Sequence, residues 1–457
     1  MLITTSSRRR LLAVSVVAAL ALAACGGDDD DSAGDSATTE ASATTAAGTA
    51  ATTAAETPAT TAADTPATTA AEAPAADKSP VLIGATVDLT GVTGRPEIGK
   101  VVEAWAAFVN ENGGINGHPV ELDIQDTKGD AAAAQAQTEE LLAKNPVLFL
   151  LESSGTETAQ GETLAASGVP VMGVGYNPAI WGGNIEAFKL ACSPDAGSPL
   201  PCALPNAFPL ATTFGAVVDE QVLGAQAAGA TKLAVAACAE VDSCSAATPV
   251  FEATTAAVGL EFAGTVKVSS TAGDYSAECI QWMQDGVDFI QISGGSALGT
   301  ALIASCGDQG YEGIFGASAG SVSGPMITIE GITMAGGLNA FPWWVDDPLV
   351  QEYRDVLAAA GVSDDGINDP TATGMWSALQ LFAKANADLS DDPTAAETLA
   401  NMYTIKDETL GGLIAPTTFT EGEPAPHRPC FWPYILEDGE FTNPLGGLNY
   451  QCYPAES

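Results

Sequence analysis

From Val81 to Asp126 the apolar positions change period twice. Val81, Leu82, Ile83 and Ala85 form a short apolar run, which predicts a buried strand. A polar, glycine-rich loop, Asp88 to Glu97, follows it. Val101, Trp105, Phe108 and Val109 then recur at helical spacing and put one apolar face on a helix. Asn112-Gly113-Gly114 supplies the left-handed residues that close a helix C-terminus. Val120, Leu122 and Ile124 alternate with Glu121 and Asp123, the pattern of a second strand. Strand, crossover helix and strand make a right-handed βαβ unit. Ligands of open parallel sheets sit beyond the carboxyl ends of the strands, so the loop Asp88 to Glu97 is the first candidate contact.

The same rhythm continues. Asp130 stands where an N-cap belongs before a helix Ala131 to Lys144, and Val147 to Leu151 and Val169 to Val174 read as buried strands. It restarts with helices near Phe214 to Ala228, Thr248 to Val258, Ala277 to Asp285 and Ala297 to Ser305. These alternate with strands Lys232 to Ala237, Ala263 to Val268, Phe289 to Ile292 and Gly313 to Phe315. The fold class is therefore α/β, with two doubly wound lobes. Gln351 to Tyr403 reads as mostly helical, and the tail from Gly411 as short strands and turns.

The first residues follow neither period. Arg8-Arg9-Arg10 precede an apolar run, Leu11 to Ala24, that is short for a membrane span and has the charged flank of an export signal. Leu22-Ala23-Ala24-Cys25 resembles the lipobox of bacterial lipoproteins. That resemblance implies a signal peptide over 1–24 and a lipid on Cys25. From Gly26 to about Lys78 the chain repeats Ala-Thr-Thr-Ala-Ala with interspersed prolines. It has too few large apolar side chains to offset the entropy of ordering, so 25–78 reads as a tether spanning roughly 40 Å. The folded body is expected over 79–457.

Charge narrows the function. The 457 residues carry 15 Lys and Arg against 57 Asp and Glu, a net charge of −42, with no basic stripe after Arg10. Nucleic acid is therefore excluded as a natural partner, and the excess of acids reads as solubility. Two histidines, His118 and His427, make no metal motif, and no cofactor or metal is expected. Besides Cys25 there are eight cysteines, an even number that suits an oxidising compartment. Their spacing suggests local pairs, Cys192 with Cys202, Cys238 with Cys244, Cys279 with Cys306 and Cys430 with Cys452, although other connectivities stay open.

Several of these stretches together resemble one family. Ile83-Gly84, Leu89-Thr90-Gly91, Asn110, Gly113 to Gly117, Val120-Glu121-Leu122, Asp126 and Asp130 are similar to the opening of the leucine/isoleucine/valine-binding proteins. Gly168-Val169-Pro170-Val171, Asp274-Tyr275-Ser276 and Gly294-Gly295 extend the likeness. The resemblance implies the type I periplasmic-binding fold, two lobes joined by three crossings with a solute in the cleft. The crossings are expected near Ala191 to Phe208, Ala340 to Val345 and Ala415. Lobe 1 is then about 79–190 and 346–414, and lobe 2 about 191–340 and 416–457. By position, the family's contacts fall on Arg95, Glu97, Ser153, Ser154, Gly175, Tyr176 and Asn177. In the second lobe they fall near Asp242, and on Ser243, Ser296 and Ser318. The implied protein is a monomeric extracytoplasmic receptor, lipid-anchored on the cell membrane, that hands a small polar solute to the permease of an ABC importer. The family's usual second-lobe acid is replaced by Ser318 and a frequent tyrosine by Ser296, which points away from an ordinary branched-chain amino acid. Trp181, Trp343 and Trp344 are candidates for stacking on a ligand or packing at the hinge.

Other readings compete. Gly316-Ala317-Ser318-Ala319-Gly320 matches the G-x-S-x-G elbow of serine hydrolases, with His427 later in the chain, but Gly324 and Pro325 spoil the helix that an elbow requires. Glu97 with Glu152 or Glu157 is a weaker glycosidase pair. A sensory lipoprotein without transport has the same expected fold.

Overall fold

The computed structural model describes residues 78–91, 94–152, 156–173, 178–181, 204–209, 214–240, 242–317, 321–423, 425 and 430–452. Cys25, Ser153, Ser154, Gly175, Tyr176, Asn177, Ser318, Cys192, Cys202 and His427 lie outside the described residues, as do the side chains of Asp242 and Ser243.

The first sheet contains β1 (Val81–Val87), β2 (Val120–Asp126), β3 (Leu148–Glu152), β4 (Val171–Gly173) and β5 (Ala207–Pro209), in the order β2-β1-β3-β4-β5. All four pairings are parallel. Val81, Ile83, Ala85 and Val87 of β1 are fully buried, as a strand covered on both faces demands. The helix α1 (Pro96–Glu111) starts with proline at its first turn and buries Val101 and Trp105. It stops at Asn112, after which Gly113 and Gly114 take φ values of 96° and 74°. A Cβ on Gly114 would lie 2.1 Å from the His118 carbonyl oxygen, so only glycine fits that turn. Asp130 caps α2 (Ala131–Leu142) by accepting the Ala133 N–H at 2.7 Å. α3 (Glu157–Ser167) ends at Gly168, also left-handed, and a short helix α4 (Pro178–Trp181) follows β4.

The second sheet runs β12-β11-β10-β9-β8-β6-β7. Its strands are β6 (Lys232–Cys238), β7 (Glu261–Val268), β8 (Phe289–Ser293), β9 (Ile314–Ala317), β10 (Thr333–Leu338), β11 (Cys430–Glu437) and β12 (Glu440–Thr442). β6 to β10 pair in parallel, whereas the C-terminal strands β11 and β12 add antiparallel at one edge and β13 (Gln451–Cys452) pairs with β11. Its helices are α5 (Phe214–Ala227), α6 (Asp242–Ala246), α7 (Thr248–Val258), α8 (Ser276–Gln284) and α9 (Ser296–Asp308). Cys238–Cys244, Cys279–Cys306 and Cys430–Cys452 form disulfides, the local pairs that their spacing suggests.

After β10 the chain returns to the first sheet as α10 (Pro348–Ala359), α11 (Asp364–Ile367), α12 (Pro370–Ala385) and α13 (Ala395–Met402). Phe108 of α1 meets Trp376 of α12 at 5.9 Å between ring centroids, and Tyr353 of α10 packs edge-on to Trp376 at 5.6 Å. Two passages between the sheets fall later than the sequence suggests. Ala207-Phe208-Pro209 pairs with β4, so the first lies beyond Pro209 rather than within 191–208. Phe419 still packs edge-on against Phe208 at 4.9 Å, so the third lies beyond Phe419 rather than at Ala415. The three-residue strand β5 is too short to show a period, which is why the sequence hides it.

Candidate functional site

The parallel register of the first sheet brings the ends of β1, β2 and β3 to one edge, and the residues there are polar. The Asp88 N–H donates to the Glu152 carbonyl at 2.9 Å and the Thr127 N–H to the Val87 carbonyl at 3.0 Å. The Thr127 hydroxyl donates a short hydrogen bond to the Asp88 carboxylate. Asp126 accepts from the N–H groups of Leu89 (3.1 Å), Thr90 (3.2 Å) and Lys128 (3.0 Å) and from the Thr90 hydroxyl (2.7 Å). Burial opposes ionisation of that carboxyl, but these donors, Thr90 first, outweigh it and hold it below the usual range. The first half of the loop Asp88 to Glu97 is thereby pinned to β2.

Arg95, just ahead of α1, turns its guanidinium across this edge. Its Nε lies 3.8 Å from Glu152 Oε1, and its Nη1 lies 3.4 Å from Asp369 Oδ1 and donates to Thr371 Oγ1 at 2.6 Å. Asp369 caps α12 by accepting the Thr371 N–H at 2.7 Å, and the Ser323 side chain lies near enough to help lower its carboxyl against the burial that raises it. Ser323 belongs to the segment between β9 and a 3-10 helix, Gly324–Thr328, so this contact joins the two sheets.

Behind Arg95 the floor is acidic. Asp88, Glu152 and Glu157 are 1%, 2% and 0% exposed. Burial pushes the Glu152 carboxyl up to about 8; Arg95 opposes that shift, while Asp88 and Asp369 add to it. Burial pushes Glu157 well above the carboxylate range as well, against one hydrogen bond from Trp181 Nε1 (3.1 Å) to its Oε1 and reinforced by Glu152 and Asp88. Oε2 of Glu152 and Oε2 of Glu157 have no hydrogen-bond partner among the described residues. On the second-sheet side stand Ser321, Ser323 and Asn339, all buried, and the half-buried Ser296 at the start of α9 beside Gly324.

The candidates from the sequence separate accordingly. Arg95 is central. Glu97 is tied elsewhere: its carboxylate accepts from Lys100 Nζ at 2.7 Å and from the Ser363 N–H at 3.0 Å, bracing α1 against α11. Trp181 is fully buried in the core. Trp343 and Trp344 pack edge-on at 4.9 Å, and Trp344 stacks on Phe441 at 4.6 Å. With Arg354 and Glu330 they line a groove of about 740 Å³. Sequence reasoning missed Asp369, Thr371 and Ser323. Asp369-Pro370 carries a helix-start signature, but nothing local ties it to Arg95. Of the hydrolase motif Gly316 to Gly320, Ser318, Ala319 and Gly320 lie outside the described residues; further on, Met326 of the 3-10 helix Gly324–Thr328 sits against Gly299 of α9. No helix among the described residues is long and apolar enough to cross a membrane.

Two α/β sheets thus flank a buried, charged cluster around Arg95. The chain belongs to the periplasmic binding protein family, whose model matches residues 80–431. No curated protein matches the sequence. Among solved structures, a fatty acid ABC transporter substrate-binding protein from Thermomonospora curvata is 16% identical with a TM-score of 0.60, over 83% of this chain and 93% of that one. A solute-binding protein of an ABC transporter from R. palustris, in complex with benzoate, is 15% identical with a TM-score of 0.60, over 82% and 98%. The branched-chain amino acid transporter substrate binding protein LivJ from Streptococcus pneumoniae, in complex with isoleucine, is 14% identical with a TM-score of 0.59, over 82% and 99%. At such identities the likeness is one of fold.

Proposed function

We propose that this protein is the extracytoplasmic solute receptor of an ABC importer, held at the membrane by a lipid on Cys25, which acts as a monomer and captures a small polar solute between its lobes. The observation that supports this reading most is the closeness of Ser323, from the second sheet's part of the chain, to Asp369 in the Arg95 cluster of the first. Closure of this kind is a population shift, driven by contacts that the solute makes better in the closed state. Neighbours of the same fold hold isoleucine and benzoate, which supports a small organic solute. The tether gives the body reach, and the permease receives the solute on docking. The test is a thermal-shift screen of the full-length, detergent-solubilised lipoprotein against amino acids, amides, aromatic acids, polyamines and sugars. A solute at about a hundred times its dissociation constant adds about 2.7 kcal/mol to stability, a plain rise in Tm. A blank across every class rules the reading out.

A further inference from the structure

We propose, resting on the receptor reading above, that Glu152 and Glu157 form a subsite for the cationic nitrogen of the solute, an ammonium or amidinium group, on the floor of the crevice. Among the described residues, four carboxyls, Asp88, Glu152, Glu157 and Asp369, stand near enough to feel one another's charge, with one guanidinium, Arg95, among them. Arg95 is committed at the rim to Glu152 Oε1, Asp369 and Thr371. One oxygen of Glu152 and one of Glu157, in residues 2% and 0% exposed, have no donor. A buried acceptor without a donor is costly, and a cation that brings several N–H groups relieves two such acceptors at once. Among the described residues no three acids, histidines or cysteines are placed to share a metal ion.

The proton balance follows from the burial. Without solute, burial favours the neutral acids. An entering cation replaces a proton, which leaves to buffer, so the charge in the crevice is conserved. Binding therefore releases protons in proportion to the neutral acid present beforehand.

The test uses the full-length protein freed of endogenous solute, with putrescine and benzamidine as cationic probes and benzoate and glucose as anionic and neutral ones. Calorimetry is run in two buffers of different ionisation heat. A cationic probe binds with proton release, and its Kd rises at least about tenfold in Glu157→Gln and in Glu152→Gln. Both variants keep an acceptor in place, and Glu157→Gln can still receive the Trp181 N–H. Binding of benzoate or glucose but of neither cation overturns the subsite and leaves the receptor reading standing. So does a cation whose Kd moves less than about threefold in both variants. Silence from all four probes and from the wider panel overturns both.

Discussion

Arg95 and Asp369 stand 274 positions apart in the chain, and their side chains meet with Nη1 3.4 Å from Oδ1. The pair fastens the opening of the first sheet to the helix that returns to it after the chain has built most of the second sheet. Ser323 lies near the same carboxyl, so Asp369 caps α12, pairs with a guanidinium and stands beside the second sheet's part of the chain. These residues are therefore held in place by the fold of the first sheet.

Removing the guanidinium leaves the partly buried Asp369 carboxyl without its cation. Arg95→Gln is expected to cost about 3 kcal/mol at neutral pH, the range for breaking a buried pair. The loss shrinks toward pH 5, because burial raises the Asp369 carboxyl and its protonation removes the charge that Arg95 offsets. Urea denaturation at the two pH values checks this, and equal midpoints for wild type and variant at pH 7 would contradict it.

The pH dependence of stability has a definite sign at Glu152. Its carboxyl is raised from the ordinary 4.5 to about 8 by burial, against Arg95 and with Asp88 and Asp369. A raised folded-state value means that folding takes up a proton. The contribution is complete below about pH 4.5 and is lost as pH climbs through about 8, at about 1.4 kcal/mol per pH unit per proton. Glu157 and Glu220 shift in the same direction, so Glu152→Gln removes only its own share. Melting curves from pH 5 to about 8 should show a shallower decline for Glu152→Gln than for wild type. Parallel profiles would show that the Glu152 carboxyl titrates normally.

What the sequence makes legible is what local chemistry encodes. β1, α1 and β2 follow from their periods and from the glycine stop at Gly113, the Asp130 cap from its place ahead of an alanine-rich helix, and the three disulfides from short spacings. Arg95 is legible because a loop after a first strand is a ligand position. Its partners are not, since Ser323 lies one passage away, in the second sheet's part of the chain, and Asp369 two, after the return to the first. Glu157 at the first turn of a helix reads as an ordinary macrodipole residue, and only its burial sets it apart.

Close packing of α5 on the second sheet depends on two glycines. A Cβ at Gly224 would lie 2.4 Å from the Cα and carbonyl carbon of Gly336, and backbone does not yield there. Gly224→Ala should destabilise by about 1–3 kcal/mol through overpacking. Gly307, within α9, has nothing within 4 Å of its added methyl, so Gly307→Ala should be neutral or stabilise by up to about 1 kcal/mol. Opposite signs in thermal melting are the expected outcome, and a stable Gly224→Ala would mean that α5 sits further from β10 than described.

The proposed anchor has a separate consequence. A single chain of lipid binds membranes only marginally, and stable retention takes more than one acyl chain, so the anchoring reading requires the full lipoprotein modification at Cys25. Cys25→Ser removes the acceptor while leaving the charged and apolar parts of the signal, Arg8 to Ala24, in place. Wild type is expected in the membrane fraction with incorporated labelled palmitate, and the variant without label. The variant should lose the lipid and keep solute-induced stabilisation, because the crevice residues Arg95, Glu152 and Asp369 are remote in sequence from the modified cysteine. Label retained in Cys25→Ser would place the lipid elsewhere, and label absent from the wild type would remove the anchor from the proposed function.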